Sequence, residues 1–425
     1  MSSELGGARV GRRGVLAGLG ATAAGVGLAA CGTTSASARP GPGYPDDLNG
    51  DGFGTDRIPR FGRHQPGITT PAPGHAIVAA FDVVSVARTD LVAMFKALDQ
   101  EIDSLMRGGK VAARSDLFPP TDNFVVGPAR PADGLSVTVS VGASLFDDRF
   151  GLASRRPATL RPMPSFPNDQ LDLARSHGDV AVQICAHTPD ACQHAFRQLM
   201  RATRRQAVLR WMQEGFIQPN TLGAGRSSSR NLLGFKDGTA NPGTGDRELM
   251  DELVWVAAGA RGEPAWAAGG TYHAIRLIQM HVEFWDRTPL RTQNELIGRD
   301  KASGAPLDGS RETDTPDFAN DPQGNVFRLD GHIRRANPRT PATEKNRILR
   351  RGFNYSRGFS ANGHLDQGLV FQAFQADLDR GFMAVQERLN GEGLEEYITP
   401  VGGGFFFALP GVRDHGDWLG RTLLT

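Results

Sequence analysis

Lysine is nearly missing from this chain. Only Lys96, Lys110, Lys236, Lys301 and Lys345 occur among 47 basic residues, which leaves 42 arginines. A coding bias would give the same excess, but arginine also presents a planar fork that suits carboxylates. Charge of one sign is missing too: 47 basic against 46 acidic residues give +1. That balance excludes a chain-wide field of the kind that gathers nucleic acid. Cysteine occurs three times, with no C-x-x-C pair and no Cys/His cluster, which excludes a zinc ribbon. What is plentiful is glycine (53) and proline (27), nearly a fifth of the 425 residues, so turns and long loops must be many. The length exceeds one compact core and points to two or three domain-sized units plus tails. A composition of 39% hydrophobic and 22% charged residues is that of a soluble globular protein.

The first forty residues read as an address. Arg12-Arg13 precedes a weakly apolar Gly/Ala-rich run over 15–30, too short to span a bilayer comfortably. A basic start, a short apolar run and a small-residue site make a secretory signal over 1–38, and the arginine pair points to the twin-arginine route. Two processing sites compete. Leu28-Ala29-Ala30-Cys31 resembles a lipobox that would lipidate Cys31, whereas Ala36-Ser37-Ala38 is an A-x-A cleavage site. Either places the mature chain outside the cytoplasm: extracellular, periplasmic or cell-surface. Residues 39–73, rich in Pro, Gly and Asp, read as a linker. Asp47-Leu-Asn49-Gly-Asp51-Gly52 there matches half a calcium loop, but Ile58 stands where the bidentate Glu is needed. Cys185, on a strand, and Cys192, on the next helix, read as two buried thiols, with a disulfide as the other option.

From residue 76 the pattern is regular. Apolar strands are expected over 76–84, 136–141, 179–186 and 209–217. Helices are expected after Thr89, as cap, and over 188–208. That order, β-α-β-β-α-β, is a ferredoxin-like unit. The second half echoes it, with strands over 271–284, 369–375 and 404–409 and helices over 290–299 and 377–389. The chain is therefore read as α+β: two ferredoxin-like domains, 74–225 and 226–425, each an antiparallel sheet with helices on one face. Residues 300–365, rich in Gly, Pro, Asp and Arg, form an excursion of a length that is usually functional.

Three segments carry candidate chemistry. In Gly234-Phe-Lys-Asp237-Gly238-Thr239-Ala240-Asn241-Pro242, glycines flank an acid and expose its carboxylate, although Asp-Gly is also a common turn. Asp330-Gly-His332-Ile-Arg334-Arg335-Ala-Asn337-Pro338-Arg339 sets one histidine among arginines; a single neutral imidazole suffices to hold a haem iron from one side. In Arg347-Ile-Leu-Arg350-Arg351-Gly352, adjacent arginines on an extended chain face opposite ways, so only one can point into a site.

Together these segments resemble the dye-decolourising peroxidases, and within them the secreted twin-arginine subgroup that includes the deferrochelatase/peroxidase of bacterial iron uptake. The likeness runs on through Phe61-Gly-Arg-His-Gln-Pro-Gly-Ile68, Val282-Glu-Phe-Trp-Asp-Arg-Thr-Pro289 and Gly402-Gly-Gly-Phe-Phe-Phe-Ala-Leu409, so it covers roughly residues 57–420. It implies two ferredoxin-like domains in a dimeric α+β barrel-like arrangement and one haem b per chain. By resemblance His332 is the iron ligand, Asp237 the acid–base group and Arg350 the distal cation. It further implies Asp377, with Asp379 as runner-up, as the carboxylate behind His332. Gly238, Thr239, Ala240, Asn337, Pro338 and Arg339 are expected to line the haem, with Arg276 and Arg334 as propionate partners. Expected partners are hydrogen peroxide, a reducing donor, the twin-arginine machinery and iron-uptake components, with room for a homo-oligomer. Trp211, Trp285, Tyr355 and Tyr397 are candidates to relay electrons from a bulky donor. An acid–base carboxylate of ordinary pKa is expected to work best at acidic pH, unless burial raises it.

Overall fold

The computed structural model describes residues 56–111, 116–218 and 228–425. The signal, both processing sites, the half calcium loop and the expected 225/226 boundary lie outside the described residues.

Eight strands form the frame: β1 (His75–Val83), β2 (Ser136–Gly142), β3 (Val180–Ala186), β4 (Ala207–Phe216), β5 (Thr271–Met280), β6 (Phe353–Phe359), β7 (Leu365–Gln375) and β8 (Ile398–Ala408). In the first half they pair in the order β2-β3-β1-β4, in the second as β8-β5-β7-β6. Each is the same ferredoxin-like order, so the repeated rhythm of the sequence is a repeated topology. Among the described residues the frame strands of the two halves pair at two places. Strand β8 pairs with β2 through Phe406–Gly142, Phe407–Val141 and Ala408–Ser140, and β4 meets β6 at Phe216–Asn354. The pairing thereby runs round a closed ring of antiparallel strands, which removes the exposed edges that open sheets must protect.

Period-two alternation sorts the side chains. On β1, Ala76, Val78 and Ala80 point into the ring with Trp211, Ile275, Leu277 and Phe406. Ile77, Ala79, Phe81 and Val83 point outward against Leu91, Phe95, Leu98, Ile102 and Leu105 of α1 (Arg88–Arg107). Both faces are buried, which is why β1 reads as an unbroken apolar run. Helix α2 (Pro189–Thr203) covers the same outer face, capped by Thr188, whose Oγ1 accepts from Ala191 N at 3.3 Å. Cys185 and Cys192 are buried free thiols.

Several boundaries differ from expectation. Helix α1 starts at Arg88 with Ala87 as cap, so Thr89 lies inside it. Helix α2 stops at Thr203, and β4 begins at Ala207. The expected strand over 271–284 ends at Met280, and Val282–Trp285 turns helically to bury Trp285. Residues 60–73 are no tether: buried Gln65 donates to the carbonyls of Val139 and Leu409, each at 2.8 Å, and lashes this segment to β2 and β8. The excursion holds its own order, including strand β6.

His273 of β5 is fully enclosed, between Ser140 Oγ and Gln372 Oε1, each at 3.0 Å, and stacked on Phe374. Burial pushes its imidazole down to about 3. Its folded pKa is thus depressed below the unfolded value near 6.5, and acid protonates the unfolded chain first. Its contribution is intact above about pH 6.5 and erodes by about 1.4 kcal/mol per unit as pH falls toward 3. His273→Gln, which keeps an amide for both partners, should lose roughly 2–3 kcal/mol less between pH 6 and 4 in urea unfolding. Equal slopes in the two proteins would refute this.

Candidate active site

On the outer face of the second half, beneath the excursion, lies a cavity of about 240 Å³. The alternation that sends Ile275 and Leu277 into the ring sends Arg276, Ile278 and Met280 of β5 into this cavity, joined by Leu369 and Phe371 of β7. Leu233, Phe235 and Leu389 add further apolar wall.

Asp237 enters from the glycine-flanked segment. Gly234 and Gly238 both have left-handed φ (+85° and +92°), which a side chain would strain. Lys236 and Thr239 grip Glu312 of the excursion, Lys236 Nζ at 2.6 Å and Thr239 Oγ1 at 3.0 Å. Burial opposes charge on Glu312, but these bonds prevail and hold its carboxyl below the usual range. Asp237 is left facing the cavity, where its Oδ1 accepts from Arg350 Nη1 at 2.9 Å. Arg350 sits in a two-residue strand on β7, its backbone held on both sides by Asn241: Asn241 Nδ2 donates to its carbonyl at 2.7 Å, and its own N–H donates to Asn241 Oδ1 at 3.1 Å. Arg351 turns the opposite way, toward the carbonyls of Thr70 and Pro71. The strand alternation makes the paired arginines diverge, and the seating of this strand on β7 turns Arg350 to the cavity.

His332 opens a short helix, His332–Ala336, within the excursion. Its Nδ1 donates to Glu392 Oε2 at 2.7 Å, which leaves Nε2 as the nitrogen free for the cavity. Burial disfavours the imidazolium, but Glu392 outweighs it and raises the pKa above the ordinary value. Glu392 stands between Gly391, at φ +77°, and Gly393, where a Cβ would come within 2.5 Å of Leu296 Cδ2. The two glycines let this turn pack tightly enough to bury the carboxylate. The expected partner is not there. Asp377 instead accepts from the N–H groups of Asp379 and Arg380, each at 2.9 Å, and so caps the turn before the helix Ala384–Leu389, while Asp379 pairs with Arg161. Glu392 was missed because it lies sixty residues from His332; its glycine flanks were the one signal.

Arginines crowd the cavity. Arg299, Arg339, Arg347 and Arg350 all line it. Burial, then Arg339 and, more weakly, Arg350 hold Arg299 below its usual pKa; burial and Arg347 do the same to Arg339. Asn337 lines the wall beside them, its Oδ1 accepting from Arg339 N at 3.2 Å, with Arg339 at a left-handed φ of +57°. Such strain in a non-glycine residue is typical of ligand clamps. A flat apolar body carrying carboxylates, with one imidazole nitrogen to bind a metal, matches this lining. Haem is such a group, so the residues present fit it. Thr239 and Ala240 line the cavity as expected. Arg276 does too, but its guanidinium is occupied by buried Asp169. Arg334 and Pro338 face away, and Arg334 pairs with Asp321 at 3.2 Å. Gly238 shapes the turn and is not part of the lining. Trp285 and Tyr397 pack edge to face behind Phe235, whereas Trp211 and Tyr355 are inside the ring.

Comparison with known proteins agrees with this geometry. Residues 65–217 match the family model "Dyp-type peroxidase, N-terminal" and residues 228–413 match "Dyp-type peroxidase, C-terminal". A deferrochelatase of Shigella flexneri is 48% identical over 415 residues, 97% of this chain and 96% of the relative. Another, from Escherichia coli, is 49% identical over 387 residues, 91% and 90% of the two chains. Among solved structures, a DyP-type peroxidase from Cellulomonas bogoriensis is 34% identical with a TM-score of 0.78, covering 88% of this chain and 99% of that one. DtpA from Streptomyces lividans is 35% identical with a TM-score of 0.79 and the same coverage. With both halves of the family matched in order and the apolar, arginine-rimmed cavity in the second, the chain belongs to the Dyp-type peroxidases and is a haem-dependent oxidoreductase.

Proposed function

We propose that the chain is an exported peroxidase in which Asp237, Arg350 and His332 act on hydrogen peroxide at haem b. The observation that carries the reading is the pair of contacts at one cavity, Asp237–Arg350 at 2.9 Å and His332–Glu392 at 2.7 Å. Haem, when bound, supplies the iron that takes up peroxide and the oxidising equivalents later passed to a donor. Asp237 moves a proton from one peroxide oxygen to the other, so that the departing oxygen leaves as water. Arg350 stabilises negative charge growing on that oxygen and keeps the carboxylate of Asp237 oriented. His332 offers Nε2 to the iron, while Glu392 holds Nδ1–H and so fixes tautomer and ring plane. Arg299, Arg339 and Arg347 are the cations for the propionates, in place of Arg276 and Arg334. Donors are dyes, phenols or other small reductants.

Glu392→Gln tests the positioning part. Losing an outer partner of this kind is expected to lower haem affinity or turnover about 10–100-fold. Haem titration of the apoprotein reads the first and steady-state dye oxidation the second; a variant equal to wild type in both would remove Glu392 from this role. For the whole reading, purified protein should show a Soret band that shifts on adding peroxide, and its absence after haem loading would sink it.

A second reading, release of iron from haem with the porphyrin intact, is favoured by the deferrochelatase name of relatives 47–49% identical. Incubation with haem under reducing conditions should then yield free porphyrin fluorescence; none under any condition counts against it. Export by the twin-arginine route, lipidation at Cys31 and partnership with iron-uptake components rest on the N-terminal sequence and the subgroup likeness. Intact mass of the exported chain separates Cys31 from Arg39 as its first residue.

A further inference from the structure

Glu312, in the excursion, spends its two carboxylate oxygens on different residues, one on each side of Asp237. Oε2 accepts from Lys236 Nζ at 2.6 Å and Oε1 from Thr239 Oγ1 at 3.0 Å. A further hydrogen bond joins it to Ser228. The neighbouring Ser229 takes the backbone of the acid itself: Asp237 N donates to its carbonyl at 2.7 Å. Glu312 thus clips together both arms of the turn that carries Asp237. The ion pair is nearly enclosed, the Lys236 and Glu312 side chains being 16% and 10% exposed. Room for it is built in. At Gly304, with φ +78°, a Cβ would come within 2.6 Å of Lys236 Cδ, so the lysine stem lies flat against bare backbone. The main chain of Glu312 has a tie of its own. Its carbonyl accepts from Arg299 Nη1 at 3.0 Å, and the same nitrogen donates to the carbonyl of Gly304 at 2.6 Å.

Two glycines give the turn backbone freedom, which a clip across its arms takes up. Proton transfer between two oxygens tolerates little misplacement: an error of about 1 Å costs on the order of 100-fold. Charge matters as much as order. Arg350 meets Asp237 at 2.9 Å, His332 stands across the cavity, and Arg299 and Arg339 are on its wall. Lys236 would add one more cation beside the acid, and Glu312, its one ion partner among the described residues, cancels it. Glu312 itself does not line the cavity, so whatever it does there it does through its neighbours.

We propose that Glu312 is a positioning residue for Asp237: it clamps the residues on either side of the acid, cancels the charge of Lys236 and joins that turn to Arg299. The proposal rests on the peroxidase reading above, in which Arg299 is a cation for a propionate. Cofactor binding and the aim of the acid then depend on one braced unit. Charge-assisted bonds of this kind are the strong ones, and breaking a nearly buried pair strands the partner left behind.

The test uses holoenzyme with fluoride as the probe. Fluoride enters ferric haem together with a proton that the distal acid holds, so the pH dependence of its affinity, followed by absorption, reports Asp237 without turnover. Glu312→Gln leaves Lys236 uncancelled and should move the midpoint of that dependence to lower pH. Lys236→Met leaves Glu312 uncancelled and should move it to higher pH, each by about half a unit or more. Both variants should also lose about tenfold or more in kcat/KM for peroxide, at wild-type haem content. The double variant should return to the wild-type midpoint without regaining that turnover. No shift, or shifts of the same sign in both single variants, overturns the proposal, because disorder alone does not follow the sign of the charge removed. Should Glu312→Gln fail to fold, Lys236→Met is set against Lys236→Arg, which keeps the charge and should keep the wild-type midpoint; equal midpoints in the two overturn the proposal. A wild-type protein that binds fluoride with this pH dependence but turns over no peroxide refutes the peroxidase reading instead.

Discussion

His332→Ala is expected to fold normally and to lose haem and turnover together. The side chain lies in a short helix on the excursion, outside the barrel ring and the main core, so its removal leaves the framework intact. What it takes away is the imidazole that faces the cavity. Among the described residues that line the cavity, His332 is the sole histidine and there is no cysteine, so no second imidazole or thiolate stands ready to replace that nitrogen. The variant also leaves Glu392 buried, 6% exposed, without its hydrogen-bond partner, a cost of about 1–3 kcal/mol or more for a charged group. Loss of the ligand itself should exceed the roughly 10–100-fold cost of losing its outer partner. Absorption after haem reconstitution and dye oxidation measure the two effects. A variant with a wild-type Soret band and more than a tenth of wild-type turnover would show that His332 is not the ligand.

Asp237→Asn should separate chemistry from cofactor binding. The amide keeps the size of the carboxylate and can still meet Arg350, so haem content is expected to stay at the wild-type level. Asparagine cannot take up and return a proton, and a positioned acid–base group contributes about 10²–10⁴-fold. Peroxide-dependent turnover should fall by that factor in stopped-flow and steady-state assays. Arg350→Leu is expected to fall as well, and to leave Asp237 without the ion partner seen at 2.9 Å. Because the two act as a unit, the double variant should be little worse than the poorer single one. Additive losses would mean that each works independently.

Much of the framework was legible beforehand. Strands buried on both faces show as apolar runs, and the two halves repeat one rhythm, because burial and pleat act locally on each segment. Closure of the barrel was legible only through the family resemblance and not in any local pattern. It depends on β8 meeting β2 and on one residue pair, Phe216–Asn354, between segments with no shared local signal. Strand β6 was hidden in a region whose Gly, Pro and Arg content reads as loop; pairing with β7 overrides that weak local preference. Trp285 shows the converse, as burial of its ring ends a strand that alternation alone would have continued.

For the site, the sequence by itself determined the residue types and their local setting: an acid between glycines, a lone histidine, paired arginines. Tertiary structure decided their partners. Period two requires Arg350 and Arg351 to diverge, but only the seating of that strand on β7 makes Arg350 the one at the cavity. Asp377 lies where a helix begins, and its carboxylate is taken by the backbone N–H groups there; Glu392, from a turn sixty residues beyond His332, reaches the imidazole instead. The physical reason is range. Backbone preference and alternation act over a few residues, whereas a buried ion or hydrogen bond joins whichever groups the closed sheet brings within three ångströms.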